Sequence, residues 1–118
     1  ILGDNTGATS LTKSNTGTWV LSGANTYTGL TTVSAGTLVL TGGSALANTG
    51  VVNLSTSGAD LTLNNGETIG SLTGVAGTTV TLGSNTLTTG DGSNTAFAGV
   101  ISGTGGLTKQ GIGTEIVR

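Results

Sequence analysis

Short runs in which aliphatic residues alternate with threonine, serine or asparagine recur along the whole chain. Alternation with a period of two residues, rich in β-branched side chains, is typical of strands that bury one face. No stretch of useful length shows the 3.6-residue period of an amphipathic helix. The sequence therefore predicts an all-β protein, with its clearest strands at 18–21, 37–40, 51–54, 60–63 and 79–82.

Glycine-containing turns separate these runs and give the chain a regular unit of two strands. The average unit is about 19 residues long, which is typical of a solenoid. An antiparallel sandwich could have similar strand spacing, but it gives no reason for a constant two-strand unit. We therefore expect a right-handed parallel β-helix of about six coils of roughly 20 residues each. Its units would begin near Leu11, Thr31, Val51, Gly70, Thr86 and Leu107.

The residue types fit such a coil. Inward leucine, valine and isoleucine would stack in columns, whereas outward threonine tolerates water and favours strand geometry. Glycine and asparagine adopt positive φ at corners, and proline, which would remove a ladder donor, is absent. Asn-Thr dipeptides, for example at Asn25 and Asn85, could furnish corner asparagine ladders, although their spacing is irregular.

The sequence also contains a second repeat, with a period longer than the two-strand unit. Residues 11–18 recur as 107–114 at an offset of 96 residues, and five of the eight positions are identical. Chance similarity between two stretches rich in threonine and glycine is the alternative, but the pairing of two of the three basic residues opposes it. The repeated positions are Leu11, Thr12, Lys13, Gly17 and Thr18, matched by Leu107, Thr108, Lys109, Gly113 and Thr114.

Composition excludes several kinds of function. The 118 residues contain no cysteine and no histidine, so a disulfide framework, a thiolate zinc site and the commonest general base are missing. The three basic residues cannot form the surface that nucleic-acid binding requires. Apolar runs are far shorter than the roughly 20 residues that span a bilayer. We therefore expect no nucleic-acid partner and no embedding in a membrane.

Two further observations concern order and extent. Aliphatic residues are too frequent, and the mean hydropathy of +0.25 is too high, for a disordered chain. The chain also lacks methionine, the residue with which a newly made protein starts. We therefore expect residues 1–118 to form one β-helical fragment of a longer protein.

The acidic residues do not predict an enzyme. Some β-helices are polysaccharide lyases or hydrolases, and their sites need clustered carboxylates. Here the acidic residues are scattered, so we interpret them as solvated turn charges and expect no catalytic residue, metal or cofactor. Residues 90–94 only faintly resemble a calcium-binding nonapeptide, which needs several stacked copies. The acidic residues are Asp4, Asp60, Glu67, Asp91 and Glu115.

Trp19 and Tyr27 are the candidates for contact with a sugar ligand, through stacking on an aromatic ring. The alternative is that a lone aromatic residue in a solenoid fills the core or caps a corner. Residues 79–81 and 86–88 have the Thr-x-Thr form of an ice-binding row, but that form does not recur in register. Threonine is also common in strands for reasons of propensity alone.

Residues 11–40 resemble the passenger-associated repeat of bacterial autotransporters. The most specific part is 25–29, Asn-Thr-Tyr-Thr-Gly, which composition does not dictate. The chain departs from the family at Asn15 and Leu30, where glycine is usual, and at Trp19, where leucine is common. The matching positions are Leu11, Thr12, Lys13, Gly17, Thr18, Asn25, Thr26, Tyr27, Thr28, Gly29, Gly36, Leu38 and Leu40.

The resemblance divides the chain into the repeat at 11–40, spacer coils at 41–96 and the start of the next copy at 97–118. It implies a stalk in the secreted passenger of an outer-membrane autotransporter. Such a stalk supports export by folding coil by coil, contacts the neighbouring coils of its parent chain, and displays distal domains at the cell surface, where a barrel domain anchors it.

Two alternatives to the stalk remain open. The lateral face itself could be the function, as an adhesive or self-associating surface that contacts a host surface or another passenger copy. More remotely, the chain could be an ice-binding solenoid.

Overall fold

The computed structural model describes residues 9–43, 45–46, 50–90, 95–111 and 113, together with the backbone of 115–117. These ranges contain fourteen short strands and no helix, and all their strand pairs are parallel. The strands form three sheets. We call the sheets the first, second and third walls, in the order in which each coil visits them.

The first wall receives one strand from every coil and runs along the whole solenoid. Val33 and Leu54 lie in register with Gly74, where the next coil's Phe97 ring fills the space that a side chain would occupy. In wall order its strands are β1 (Leu11–Lys13), β3 (Thr31–Val33), β5 (Val51–Leu54), β8 (Ser71–Gly74), β11 (Thr95–Phe97) and β14 (Glu115–Val117).

The second wall has five strands and a regular inward column. Leu38, Leu61 and Val80 pair in register and are fully buried, while the alternate positions Val39 and Thr62 face outward. This alternation is the pattern that the sequence predicted. From the end of the chain to its start, the strands are β12 (Val100–Ser102), β9 (Thr79–Thr81), β6 (Asp60–Leu63), β4 (Thr37–Leu40) and β2 (Thr18–Leu21).

The third wall has three described strands. The described residues of the first two coils contribute no strand to it. Its three strands are β7 (Glu67–Ile69), β10 (Thr86–Thr89) and β13 (Gly106–Lys109), with β10 in the middle.

The six strands of the first wall correspond to about five complete turns, which we number as coils 1 to 5 from residues 11, 31, 51, 71 and 95. The all-β parallel solenoid is confirmed, and its right-handed sense stays a prediction. The unit starts expected near Leu11, Thr31, Val51 and Gly70 agree with the structure to within one residue.

The unit starts expected near Thr86 and Leu107 were wrong in phase. Both residues belong to strands of the third wall, whereas the coils begin on the first wall. The physical reason is that coils 3 to 5 each have a third strand, so that units of two strands no longer coincide with coils.

The two copies of the longer repeat lie on different walls. Residues 11–18 lead from the first wall to the second, whereas residues after 107 lead from the third wall to the first. An offset of 96 residues is thus not a whole number of coils. The repeat specifies a corner of the solenoid and not one particular side of it.

Candidate functional site

Side chains bridge the coils where the third wall has no strand. Backbone N–H and C=O groups removed from water need hydrogen-bond partners, and around Ala45 no described strand supplies them. Asn25 from coil 1 and Glu67 from coil 3 reach this part of coil 2 from opposite sides. We call the contacts among Asn25, Ala45, Leu46 and Glu67 the side-chain ladder.

Asn25 forms the first half of the side-chain ladder. Its amide Nδ2 donates to the carbonyl of Ala45 in the next coil at 2.8 Å and to the carbonyl of Ser22 in its own coil at 3.2 Å. Asn85 makes the same kind of contact in coil 4, donating to the carbonyls of Leu63 and Leu82. The Asn-Thr dipeptides at these two positions therefore join coils through backbone carbonyls and do not stack on one another.

Glu67 forms the second half of the side-chain ladder. It is the first residue of β7 and only 4% exposed. Its Oε2 accepts a hydrogen bond from the Ala45 N–H at 3.2 Å, and its Oε1 accepts one from the Leu46 N–H at 3.1 Å. Our interpretation of Glu67 as a solvated turn charge was wrong, because the residue takes an inward strand position in register with Leu87.

Burial raises the pKa of the Glu67 carboxyl above its ordinary value of 4.5. The N–H groups of Leu46 and Ala45 act in the opposite direction, because they stabilise the ionised form, but burial is the larger effect. The folded chain therefore binds a proton at Glu67 more tightly than the unfolded chain does.

Tyr27 fills the core beside the side-chain ladder. It is 2% exposed, and its hydroxyl lies 2.6 Å from the Thr31 hydroxyl. Burial raises the pKa of the Tyr27 hydroxyl, the hydrogen bond with Thr31 lowers it, and the Glu67 charge raises it further. The buried ring of Tyr27 leaves no surface on which a sugar could stack, so Tyr27 does not have the exposed ring that a ligand contact requires.

The rest of the Asn-Thr-Tyr-Thr-Gly run also has a structural explanation. Thr26 and Thr28 are exposed on either side of the buried Tyr27. Gly29 donates its N–H to the Thr9 carbonyl at 2.9 Å, and a β-carbon at Gly29 would lie 2.4 Å from that oxygen. Asn25, Tyr27 and Gly29 are therefore specified by a contact or by the lack of space for a side chain.

Lys13 is fully buried at the corner between the first and second walls. Its ammonium donates to the carbonyls of Ser14 at 2.9 Å and Asn15 at 2.7 Å, and to Ala35 of the next coil at 3.3 Å. Three acceptors satisfy its three donors. The repeated lysine thus stabilises a corner loop and joins it to the next coil.

Lys109 repeats this arrangement at the corner after β13. Its ammonium donates to the carbonyls of Gln110 and Gly111, which correspond to the two loop carbonyls that Lys13 binds. Gly36 packs against the Lys13 corner and Gly90 against the Lys109 corner, both with positive φ and both where a β-carbon would lie within 3 Å of the ammonium. Backbone carbonyl oxygens lie closer still, Gly17 O at Gly36 and Gln110 O at Gly90, so the corner loop itself requires a glycine on the neighbouring coil.

Trp19 lies at an inward strand position near the start of the described chain. It pairs in register with the buried Leu38, and the Lys13 ammonium lies 5.3 Å from the centre of its ring. The ring is nevertheless 45% exposed. Of the two ligand-contact candidates, only Trp19 thus has accessible ring surface, and its contact with a ligand stays a prediction.

The outward face of the second wall carries Asp60. Its carboxylate accepts hydrogen bonds from the hydroxyls of Thr62 and Thr79, each at 2.5 Å, and of Thr81 at 3.1 Å. Asp60 is therefore a half-buried strand residue held by threonines, and its assignment as a turn charge was wrong. Thr79 and Thr81 lie on this wall, whereas the second Thr-x-Thr run lies on the third wall, so the two do not form one flat array.

The remaining repeat positions divide between core and surface. The inward leucines of the repeat pack in the core: Leu38 and Leu40 are fully buried, and Leu11 and Leu107 are half-buried. The exposed repeat positions, which surround the corners, are Thr12, Gly17, Thr18 and Thr108. Gly113 is half-buried, and Thr114 lies outside the described residues.

Within the part of the chain that the structure describes, no three metal-ligating side chains come together. The described residues likewise include no helix that is long and apolar enough to cross a membrane. All the clustered polar side chains described above bond to the protein's own backbone or hydroxyl groups. The arrangement is therefore suited to holding coils together.

Comparison with known proteins agrees with the sequence pattern. Residues 11–40 match the family model of the passenger-associated-transport-repeat. Over 115 residues, 92% of the chain, the sequence is 41% identical to the protein named adhesin BmaC autotransporter of Brucella suis biovar 1 (strain 1330), and it spans 3% of that protein's length. No solved structure matches the chain. The resemblance to an autotransporter passenger repeat is thereby confirmed.

Proposed function

Because residues 11–40 are an autotransporter passenger repeat, we propose that the chain is a stalk segment in the secreted passenger of an outer-membrane autotransporter. It holds distal domains of its parent protein away from the cell surface. Its role is mechanical, and none of its residues is assigned to catalysis. The observation that carries this proposal is the unbroken six-strand first wall, which joins each coil to the next.

Folding of such a stalk can support export. In a solenoid each repeat contacts only its neighbours, so folding can propagate from a formed end. The first wall has this property, since β3 pairs only with β1 and β5. A chain that emerges through a narrow pore would fold coil by coil and lose the ability to slide back. The fully buried columns supply the free energy for each added coil.

Leu38→Asp tests the export role. Leu38 is fully buried, so an unpaired charge there should destabilise coil 2 by several kcal/mol. We expect slower appearance of the intact parent protein at the cell surface, measured as the time course of protease accessibility. Thr32→Asp is the matched control, because it adds the same charge at an outward position of the first wall in the same coil. Unchanged display kinetics in Leu38→Asp would contradict the export role.

A second candidate function is adhesion or self-association through a lateral face. It is favoured by the outward face of the second wall, where Val20 and Val100 are 64% and 61% exposed. Asp60 is the one charged residue in the described strands of this wall. The name of the relative, an adhesin, agrees with this role. Lateral association of the intact passenger that is insensitive to salt and weakened by Val20→Ser would favour adhesion. Association that salt abolishes would count against it.

A further inference from the structure

The corner between β6 and β7 carries the one Asn-Gly pair of the sequence. Asn65 and Gly66 lie between these two strands, and both are exposed. Every other asparagine of the chain precedes threonine, leucine or asparagine. A side chain on the following residue hinders approach to that residue's backbone nitrogen, whereas glycine has none. The nitrogen of Gly66 is therefore the one that an asparagine side chain can approach with least hindrance.

A hydrogen bond from coil 2 acts on the side-chain carbonyl of Asn65. The Gly42 N–H donates to Asn65 Oδ1 at 2.7 Å. Such a donor stabilises the negative charge that develops on the oxygen when a nucleophile adds to the carbonyl carbon. The preceding residue, Asn64, makes a different contact, since its Nδ2 donates to the Thr41 hydroxyl at 3.2 Å. Asn65 thus combines a following glycine with a carbonyl that the fold has made more reactive.

We propose that Asn65 is a site of spontaneous modification, at which the Gly66 backbone nitrogen displaces ammonia from the Asn65 side chain in the folded chain. The nitrogen loses its proton to a base in the solvent and bonds to Cγ of Asn65. The Cγ–Nδ2 bond then breaks, and Nδ2 takes up a proton and leaves as ammonia. Water opens the resulting cyclic imide at either of its carbonyl groups, which gives aspartate or isoaspartate at position 65. The reaction needs only water, which the exposed corner admits.

The two products differ in their effect on the contact with coil 2. Aspartate keeps the length of the backbone and keeps an acceptor for the Gly42 N–H. Isoaspartate passes the backbone through the side-chain carbon, so the corner gains a carbon atom and the carboxylate arm becomes shorter. The hydrogen bond from Gly42 should then be lost, and coils 2 and 3 should be held less firmly at this corner. The proposal is independent of the stalk function.

Incubation of the 118-residue chain in mildly alkaline buffer, followed by peptide mass spectrometry, tests the proposal. We expect Asn65 to become the acid before any other asparagine, with isoaspartate detected by enzymatic methylation of its carboxylate. The rate should rise with pH, because the attacking nitrogen must lose its proton. Asn64 is the internal control: it is likewise exposed, but the residue after it has a side chain, so it should stay an amide.

The same incubation in urea separates the effect of the fold from that of the sequence. Because the Gly42 N–H supports the reaction only in the folded chain, conversion of Asn65 should be at least as fast without urea as with it. Conversion that is several-fold slower in the folded chain, or that occurs only in urea, would overturn the proposal, since the corner would then protect Asn65.

Gly66→Ala is the matched variant. A β-carbon at Gly66 would lie 3.4 Å from the Thr86 carbonyl oxygen, an ordinary contact distance, and Gly66 does not have a positive φ, so the corner accepts alanine. The variant keeps Asn65 and should slow its conversion several-fold. Unchanged conversion in Gly66→Ala would overturn the proposal.

Amide hydrogen exchange at Gly42 tests the consequence for the link between coils 2 and 3. Exchange should be several-fold faster in the isoaspartate form, separated by chromatography, than in the original chain. Asn65→Asp is the control, because it adds the same charge without lengthening the backbone, and should leave exchange at Gly42 unchanged. Equal exchange in the isoaspartate form and the original chain would overturn this part of the proposal.

Discussion

The two halves of the third wall are closed by different interactions. In coils 3 to 5, the strands β7, β10 and β13 pair through a continuous backbone ladder. In coils 1 and 2, the described residues add no strand, and the side chains of Asn25 and Glu67 bind the backbone of coil 2 near a backbone hydrogen bond from Gly70 to the Gly50 carbonyl. The first and second walls do not show this difference.

The comparison explains why the most specific residues of the repeat lie where they do. A backbone ladder can be made by almost any strand-forming sequence, because each residue contributes the same N–H and C=O groups. A side-chain ladder needs particular donors and acceptors at fixed positions. Asn25 and Tyr27 therefore lie where the described residues form no strand of this wall, and a threonine-rich strand such as β10 suffices elsewhere.

Among the variants that test this comparison, removal of the Tyr27 side chain should lower the stability of the chain most. Tyr27 is 2% exposed and fills the core beside the side-chain ladder. Tyr27→Ala should lower the free energy of unfolding by about 3–5 kcal/mol, as expected for loss of a buried aromatic ring. Chemical denaturation followed by circular dichroism measures this change.

Tyr27→Phe is the control for Tyr27→Ala, because it keeps the ring and removes only the hydroxyl that contacts Thr31. It should cost about 1 kcal/mol. If Tyr27→Ala cost no more than Tyr27→Phe, the ring would not be part of the core, and the side of the wall without strands would depend on other contacts.

Substitution of one asparagine in each half of the third wall compares the halves directly. We expect a smaller loss of stability from these two variants. Asn25→Ala leaves the Ala45 carbonyl without its donor where no described strand replaces it, so we expect a loss of about 1–3 kcal/mol. Asn85→Ala removes a similar contact beside the complete ladder, from a half-buried residue, and should cost about 0.5–1.5 kcal/mol. Equal losses in the two variants would mean that the backbone ladder gives no additional support.

Much of the fold was predictable because inward and outward residues alternate along each strand with a period of two. The alternation in runs such as 37–40 and 60–63 places leucines inward and threonines outward, and the structure confirms strands at both. The phase of the later coils was not predictable from a unit of two strands, because coils 3 to 5 each have three. Periodicity thus identifies strands, but the number of strands in each coil depends on the walls that form.

The site was less predictable than the fold. Lys13 and Glu67 are charged, and charge usually indicates exposure, yet both are buried because backbone groups satisfy them. A signal was available for Glu67, since it alternates with the inward Ile69 in β7. For Lys13 the signal was its repetition at Lys109, which predicted a shared role but not the carbonyl contacts.

Native-state hydrogen exchange at one pH tests the central claim most directly, that the side chains of Asn25 and Glu67 hold the described residues of the third wall together in the early coils. Amides of Leu87 and Thr88, in the middle strand of the backbone ladder, should exchange only through global unfolding. Amides of Ala45 and Leu46 should exchange faster, through a local opening that depends little on denaturant. Equal protection at both places, with the same denaturant dependence, would contradict the account.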